Sequence, residues 1–227
     1  MDKSRVLYED NHLIAVNKLP GDLVQGDRTG DKPLLDQVRE FLEKKYDKPK
    51  AFIGLIHRID RPVSGVVLFA KTSKGLSRMN SLFHDRKVEK TYWAVVKNTP
   101  PNPADTLVHF LKKNQEKNKS FAKTEEVDGY LRSELSYSLK KKLKTFVLLE
   151  VKPKTGRHHQ IRVQLSSIDC PIKGDVKYGF DRPNRDQSIH LHARYLEFEH
   201  PIKNEWIKIA APPPDKDVIW RDCQRVS

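Results

Sequence analysis

Five apolar residues in succession, Val66-Val67-Leu68-Phe69-Ala70, follow a stretch dense in charge, His57-Arg58-Ile59-Asp60-Arg61, and the small pair Ser64-Gly65. A run this short and this apolar reads as a strand. A strand behind the charged stretch would hold it in a fixed position. One carboxylate, Asp60, stands there among two arginines and a histidine. Positive charge around an acid keeps it ionised. Such a carboxylate is a poor general acid but a usable nucleophile or electrostatic anchor. A structural ion pair, or a cap on the turn before the strand, is the competing reading.

The flanking sequence continues the pattern of short strands. Val6–Glu9 and Leu13–Asn17 read as two strands joined by Asp10-Asn11-His12. Lys18-Leu19-Pro20-Gly21 breaks the second, and a loop with three glycines runs to Gly30. Leu34, Leu35, Val38, Phe41 and Leu42 recur at helical spacing, so 33–46 is an amphipathic helix with Pro33 as its first residue. Phe52–Ile56 is a short strand leading into His57. After Val66–Ala70, Thr72 or Ser73 caps a helix that buries Leu76, Met79 and Phe83. Thr91–Lys97, Thr145–Val151, Leu191–Glu199 and Trp206–Ala210 are further strands, 157–168 is a helix, and Pro212-Pro213-Pro214 ends the compact part. Strands outnumber helices and are mostly linked as hairpins. The fold class is therefore α+β, with a mixed, mainly antiparallel sheet flanked by helices and loops.

A chain of 227 residues suits one large domain or two small ones. Its 43 Lys+Arg against 30 Asp+Glu leave a net charge of +13, an excess that folding does not need. It favours a polyanionic partner, nucleic acid or an anionic membrane surface. No apolar run approaches the ~18 residues of a membrane span, and no signal-peptide core follows Met1. Nucleic acid is thus the expected partner, with no membrane role. The lysines of 112–123 and 140–144 form either a solvated loop or a hairpin that contacts phosphates. Cys170 and Cys223 have no C-x-x-C spacing and read as two reduced thiols.

A second charged motif is Lys154-Thr155-Gly156-Arg157-His158-His159-Gln160-Ile161-Arg162. It follows a strand and opens a helix, where N–H groups and basic side chains both favour an anion. On such a helix Arg162 shares a face with His158 and could reach a carboxylate delivered by another strand; a rim ion pair is the alternative. His158 and His159 diverge on a helix, whereas His190 and His192 alternate on a strand and could share a face. No acid stands at a third-ligand spacing, so no metal is expected. Tyr92 and Trp93 point to opposite faces of their strand. One belongs to the core and the other could stack on an unstacked base.

Taken together, these blocks resemble the RluA family of RNA pseudouridine synthases. His57-Arg58-Ile59-Asp60-Arg61-Pro62-Val63-Ser64-Gly65 is similar to its H-R-L-D-x-x-T-S-G motif, Lys90–Val96 to its K-x-Y-x-A-x-V strand, and Lys154–Arg162 to K-T-G-R-x-H-Q-I-R. Gly174-Asp175, Tyr178-Gly179, Leu191-His192-Ala193 and the opening Val6–Gly21 fit further blocks, in the family's order from about residue 6 to 212. Val63 stands where the family usually has Thr, and Ile59 where it has Leu. There is no room before Val6 for the small S4 RNA-binding domain of many relatives. A single catalytic domain over 1–227 is therefore expected, taking its affinity from that domain and its lysine-rich loops.

The resemblance implies the pseudouridine synthase fold and an isomerase acting on uridine in rRNA or tRNA. Asp60 would be the catalytic aspartate, attacking ribose C1′ or abstracting a proton from C2′. Tyr92 would contact the base and help remove the C5 proton, and Arg162 would pair with Asp60. Arg58 would displace the target base or hold the backbone, and Leu191 would pack near the uracil. Arg61, Lys154, Arg157, His159 and Gln160 complete the expected RNA-binding set. An isomerisation needs no cofactor, and a cytoplasmic monomer is expected. The rival readings are a non-catalytic RNA-binding protein on the same fold, and a nucleoside or glycoside hydrolase. The hydrolase would normally need a second carboxylate near Asp60.

Overall fold

The computed structural model describes residues 1–26 and 30–225. Part of the glycine-containing loop, at 27–29, lies outside the described residues. In chain order the elements are β1 (Val6–Glu9), β2 (Leu13–Lys18), α1 (Leu34–Tyr46), β3 (Gly54–Leu55), β4 (Ser64–Ala70), α2 (Ser73–His84), β5 (Glu89–Val96), β6 (Ala104–Asn114), β7 (Lys119–Lys123), β8 (Leu131–Lys142), β9 (Val147–Pro153), α3 (Gln160–Ser166), β10 (Leu191–Glu199), β11 (Trp206–Ala210) and α4 (Val218–Gln224). They fall into two compact units: Met1–Glu89 with Ala193–Pro214, and Lys90–His192 with Asp215–Ser227. The α+β class, with a mainly antiparallel sheet and flanking helices, is borne out.

In the first unit the strands run β1-β2-β4-β10-β11, with β3 also on β4. All seven residues of β4 are buried. Leu13, Ala15, Val66, Leu68, Leu196, Phe198 and Ile209 form one core with Met79 of α2. Thr72 caps α2 by accepting from the Gly75 N–H, 3.0 Å away. The β1–β2 turn is tied by Asp10, whose Oδ1 accepts from the N–H groups of His12 (2.8 Å) and Leu13 (2.7 Å). The Asp10 carboxylate also lies 2.8 Å from Nε2 of the fully buried His200. Burial raises the Asp10 pKa, but these N–H donors and the side chains of Tyr8 and Lys203 outweigh it and hold it to about 2. Gly65 is required where it stands. Its φ is +118°, and a Cβ there would lie 2.3 Å from the Ala193 carbonyl oxygen.

The Phe52–Ile56 strand shrinks to two residues, because Phe52 is exposed and pairing with β4 covers only Gly54 and Leu55. His57 replaces the missing ladder with its side chain. Nε2 accepts from the Leu68 N–H at 3.1 Å, and the ring stacks on Phe83.

In the second unit the antiparallel order is β5-β9-β8-β6-β7. The lysine-rich stretch 112–123 is a hairpin of β6 and β7 and not a loop. Few apolar residues are needed there, because Leu107, Leu111 and Ser120 bury one face while the alternate lysines remain in water. The helix expected at 157–168 begins only at Gln160, since His159 adopts a left-handed conformation (φ +54°) at its N-cap. A larger departure lies beyond Pro212–Pro214, where α4 extends the compact part. Asp217 caps it through the Ile219 and Trp220 N–H groups, and Trp220 and Cys223 pack against Trp93, Val95 and Leu148. A two-turn helix with two buried side chains leaves a weak periodic signal.

Candidate active site

Asp60 sits at the head of a tight turn, half-buried, with its carbonyl accepting from the Val63 N–H at 3.0 Å. That turn is pinned from below by Lys18, the last residue of β2. Lys18 is fully buried, and its Nζ donates to the carbonyls of Leu19 (3.0 Å), Arg61 (2.9 Å) and Val63 (2.6 Å). The Gly21 N–H adds a second donor to the Arg61 carbonyl, at 2.9 Å. Burial pushes the Lys18 ammonium down to about 7, with the Asp22 and Asp60 carboxylates pulling the other way. A buried cation within the field of Asp60 thus fixes the backbone at Arg61 and Val63, just after Asp60. Sequence reading took Lys18 only as the end of a strand. Its signal was a lone lysine closing a strand that is apolar but for Asn17. Arg58 is exposed, and Arg61 forms an exposed ion pair with Asp31 at 2.6 Å.

Tyr92 and Trp93 separate as strand alternation requires. Trp93 is the core residue, packed with Trp220, while Tyr92 is half-buried on the other face. Tyr92 pairs with Val151, which pairs with Tyr137. In the same register Leu107 pairs with Leu135. Tyr92 therefore lies on the face of this sheet that also carries Leu111, against which α3 packs through Val163.

Arg162 projects from α3 and is almost wholly buried. Asp175 grips it in a fork, Nε to Oδ2 at 2.7 Å and Nη2 to Oδ1 at 2.8 Å. The Tyr178 ring lies 5.0 Å from the guanidinium carbon. Tyr178 is itself locked, its hydroxyl accepting from the Ser120 N–H and lying 2.8 Å from His159 Nδ1. A planar cation held on two sides keeps a single orientation, as a clamp on a reacting carboxylate or phosphate requires. The resemblance had drawn in Asp175 and Tyr178 as members of a block, without assigning them roles.

The turn before α3 is built by Gln160. Its Oε1 accepts from Thr155 Oγ1 (2.7 Å) and the Arg157 N–H (3.0 Å), and its Nε2 donates to the Glu134 carbonyl (3.1 Å). Gln160 is buried and braces the turn, so any part it has in binding RNA runs through the shape of that turn. Lys154 and Arg157 are exposed beside it, Lys154 paired with Glu134 at 2.7 Å. His158 precedes the helix, so it does not share a helical face with Arg162. Nor do the two histidines diverge: the turn at His159 stacks their rings 3.7 Å apart. His190 and His192 do share a face, and both lie against Trp220. Leu191 is buried at the start of β10.

The first unit thus supplies a carboxylate on a braced turn, and the second a tyrosine on a sheet face with a clamped arginine on the helix packed there. The family model described as RNA pseudouridylate synthase matches residues 12–167, and the chain belongs to that family, whose members isomerise uridine to pseudouridine. It is 35% identical to the ribosomal large subunit pseudouridine synthase C of Buchnera aphidicola, over 92% of this chain and 67% of that protein. To the tRNA pseudouridine synthase C of Vibrio parahaemolyticus it is 34% identical, over 92% of this chain and 90% of that protein. The chain thus spans about two thirds of the ribosomal relatives and nearly all of the tRNA relative. The solved structure of human RNA pseudouridylate synthase domain containing 4 shares the fold, with a TM-score of 0.80 at 23% identity over 99% of this chain and 94% of that one.

Proposed function

We propose that this chain isomerises uridine to pseudouridine in ribosomal or transfer RNA, with Asp60 as the catalytic carboxylate. The observation that carries the reading is the Asp60 turn, held by a buried ammonium on the carbonyls of Arg61 and Val63. In the proposed reaction Asp60 attacks ribose C1′ or removes the C2′ proton, and the N1–C1′ bond breaks. The uracil turns and a C5–C1′ bond forms as the Asp60–C1′ bond breaks or, on the other route, as the proton returns to C2′; C5 then loses its proton and N1 gains one. Atoms and charge balance without an added reactant. Tyr92 stands at the base and accepts the C5 proton, and Arg162 orients the Asp60 carboxylate. Arg58, Arg61, Lys154, Arg157 and His159 contact RNA, and Leu191 packs near the uracil. Extruding a uridine from its stack costs a few kcal/mol, which contacts to the flanking phosphates offset.

The protein acts as one catalytic domain and as a cytoplasmic monomer in this reading. Among the described residues no helix is long and apolar enough to cross a membrane. The deciding experiment maps pseudouridine in tRNA and rRNA with the gene intact and deleted, then rescues with wild type and with Asp60→Asn. A site that vanishes on deletion and returns only with wild type is the expected result. Rescue by Asp60→Asn would sink the mechanism. A release of free uracil from RNA would point to a hydrolase instead.

A further inference from the structure

The outward face of β6, β7 and β8 carries an ordered pattern that the proposed catalytic parts do not use. Strand register sets two adjacent rows across it. In one row Phe110 stands directly between Lys123 on β7 and Arg132 on β8. In the next, Lys112 pairs with Phe121 on β7, and its Nζ lies 5.6 Å from the ring centre of Tyr130, the residue just before β8. Rings and cations therefore alternate in both directions. Phe121 is 41% exposed; Lys112, Lys123 and Arg132 are exposed, and Phe110 and Tyr130 are half-buried. Leu111 and Ala122 face the other way, into the cluster with α3. The pattern thus lies on the side of the sheet opposite Tyr92 and Arg162.

We propose that this face is a stacking platform for a single-stranded segment of the substrate RNA, outside the uridine being modified. The inference rests on the reading of the substrate as RNA and adds a second contact surface. Phe110 is thus the diagonal neighbour of both Phe121 and Tyr130, and diagonal neighbours on a sheet stand about 7–8 Å apart. That is about twice the 3.4 Å rise of stacked bases. A duplex cannot meet successive rings at that spacing, whereas an unstacked strand can lay a base on each. Lys112 and Lys123 then lie beside the bases, where phosphates pass. A protein partner is favoured by an apolar centre with charge kept to the rim; here every ring has a cation next to it. Acids mark the borders. Glu125, Glu126 and Asp128 lie in the β7–β8 connection, and Glu134 is held by Arg132 (2.8 Å) and Lys154 (2.7 Å). A polyanion is thereby confined to the rings and the two lysines.

The test is fluorescence anisotropy of the full chain with a short labelled oligouridylate, against an RNA duplex of equal length. Phe121→Ala should weaken oligouridylate binding about tenfold and leave duplex binding unchanged, and Phe121→Trp should restore it. Lys112→Gln with Lys123→Gln should reduce the slope of log affinity against log salt by about 1.4, two single-strand phosphate contacts. Unchanged oligouridylate affinity in both variants would overturn the platform, as would an equal loss on duplex from Phe121→Ala. Pseudouridine formation by the wild type on total RNA is scored in parallel. Its absence would remove the proposed activity and leave the binding result standing. Normal modification with unchanged oligouridylate affinity would remove the platform alone.

Discussion

Asp175→Asn is the substitution whose effect the structure states most sharply. Asp175 and Arg162 are 1% and 6% exposed, and two charge-assisted hydrogen bonds of 2.7 and 2.8 Å join them. Asparagine keeps the shape but removes the charge, and turns an acceptor into a donor aimed at a guanidinium. Breaking a buried pair from one side costs about 3–5 kcal/mol, because the remaining charge stays desolvated. For a chain of this size that lowers the melting temperature by about 10 °C. Thermal and urea unfolding followed by circular dichroism would read the loss. Turnover of RNA would be measured at a temperature where the variant is folded. It should fall more in kcat than in KM, because Arg162 loses its orientation and not its charge. The double variant Arg162→Met with Asp175→Leu separates the two effects. Apolar replacement of a buried pair is often neutral in stability, so it should regain the melting temperature and remain inactive. If Asp175→Asn unfolds within about 0.5 kcal/mol of wild type, the range of an ordinary surface substitution, the clamp is not what holds Arg162.

Three further outcomes are expected. Tyr92→Phe should bind RNA as wild type does but turn over at least about a hundredfold more slowly, the usual minimum for a lost proton-transfer group; near-normal rates would remove Tyr92 from that role. For Lys18 the sign follows from burial. Its folded value near 7 lies below the ordinary 10.5, so between those values the unfolded chain binds the extra proton and stability rises with pH. Lys18→Met should flatten that rise in urea titrations and lower kcat about tenfold by releasing the Val63 carbonyl; parallel pH curves for wild type and variant would refute it. Trp220→Ala should cost about 3–5 kcal/mol in urea unfolding, as for other buried tryptophans; a loss too small to measure would mean that α4 is not part of the core.

Much of the scaffold was legible because its signals are local. The apolar run at β4, the cap and apolar face of α2, and the opposite fates of Tyr92 and Trp93 all follow from side chains within a few residues of one another. Asp60 stood out for the same reason, through the arginines beside it in the chain. Local signals also fell short. The lysine-rich stretch left loop and hairpin equally open, because its buried alternates are few and small. A short helix after three prolines looked like a tail, because Trp220 and Cys223 gain their value only against Trp93 and Leu148.

The sequence by itself determined the α+β class, most strand positions and the identity of the charged motifs, since backbone periodicity and turn chemistry act over a few residues. Only the tertiary structure decided which partner each charge took. Lys18 meets carbonyls 43 and 45 residues away, and Arg162 meets an aspartate 13 residues on. Those choices depend on how far each group is removed from water, and the degree of desolvation is set when the strands close on one another.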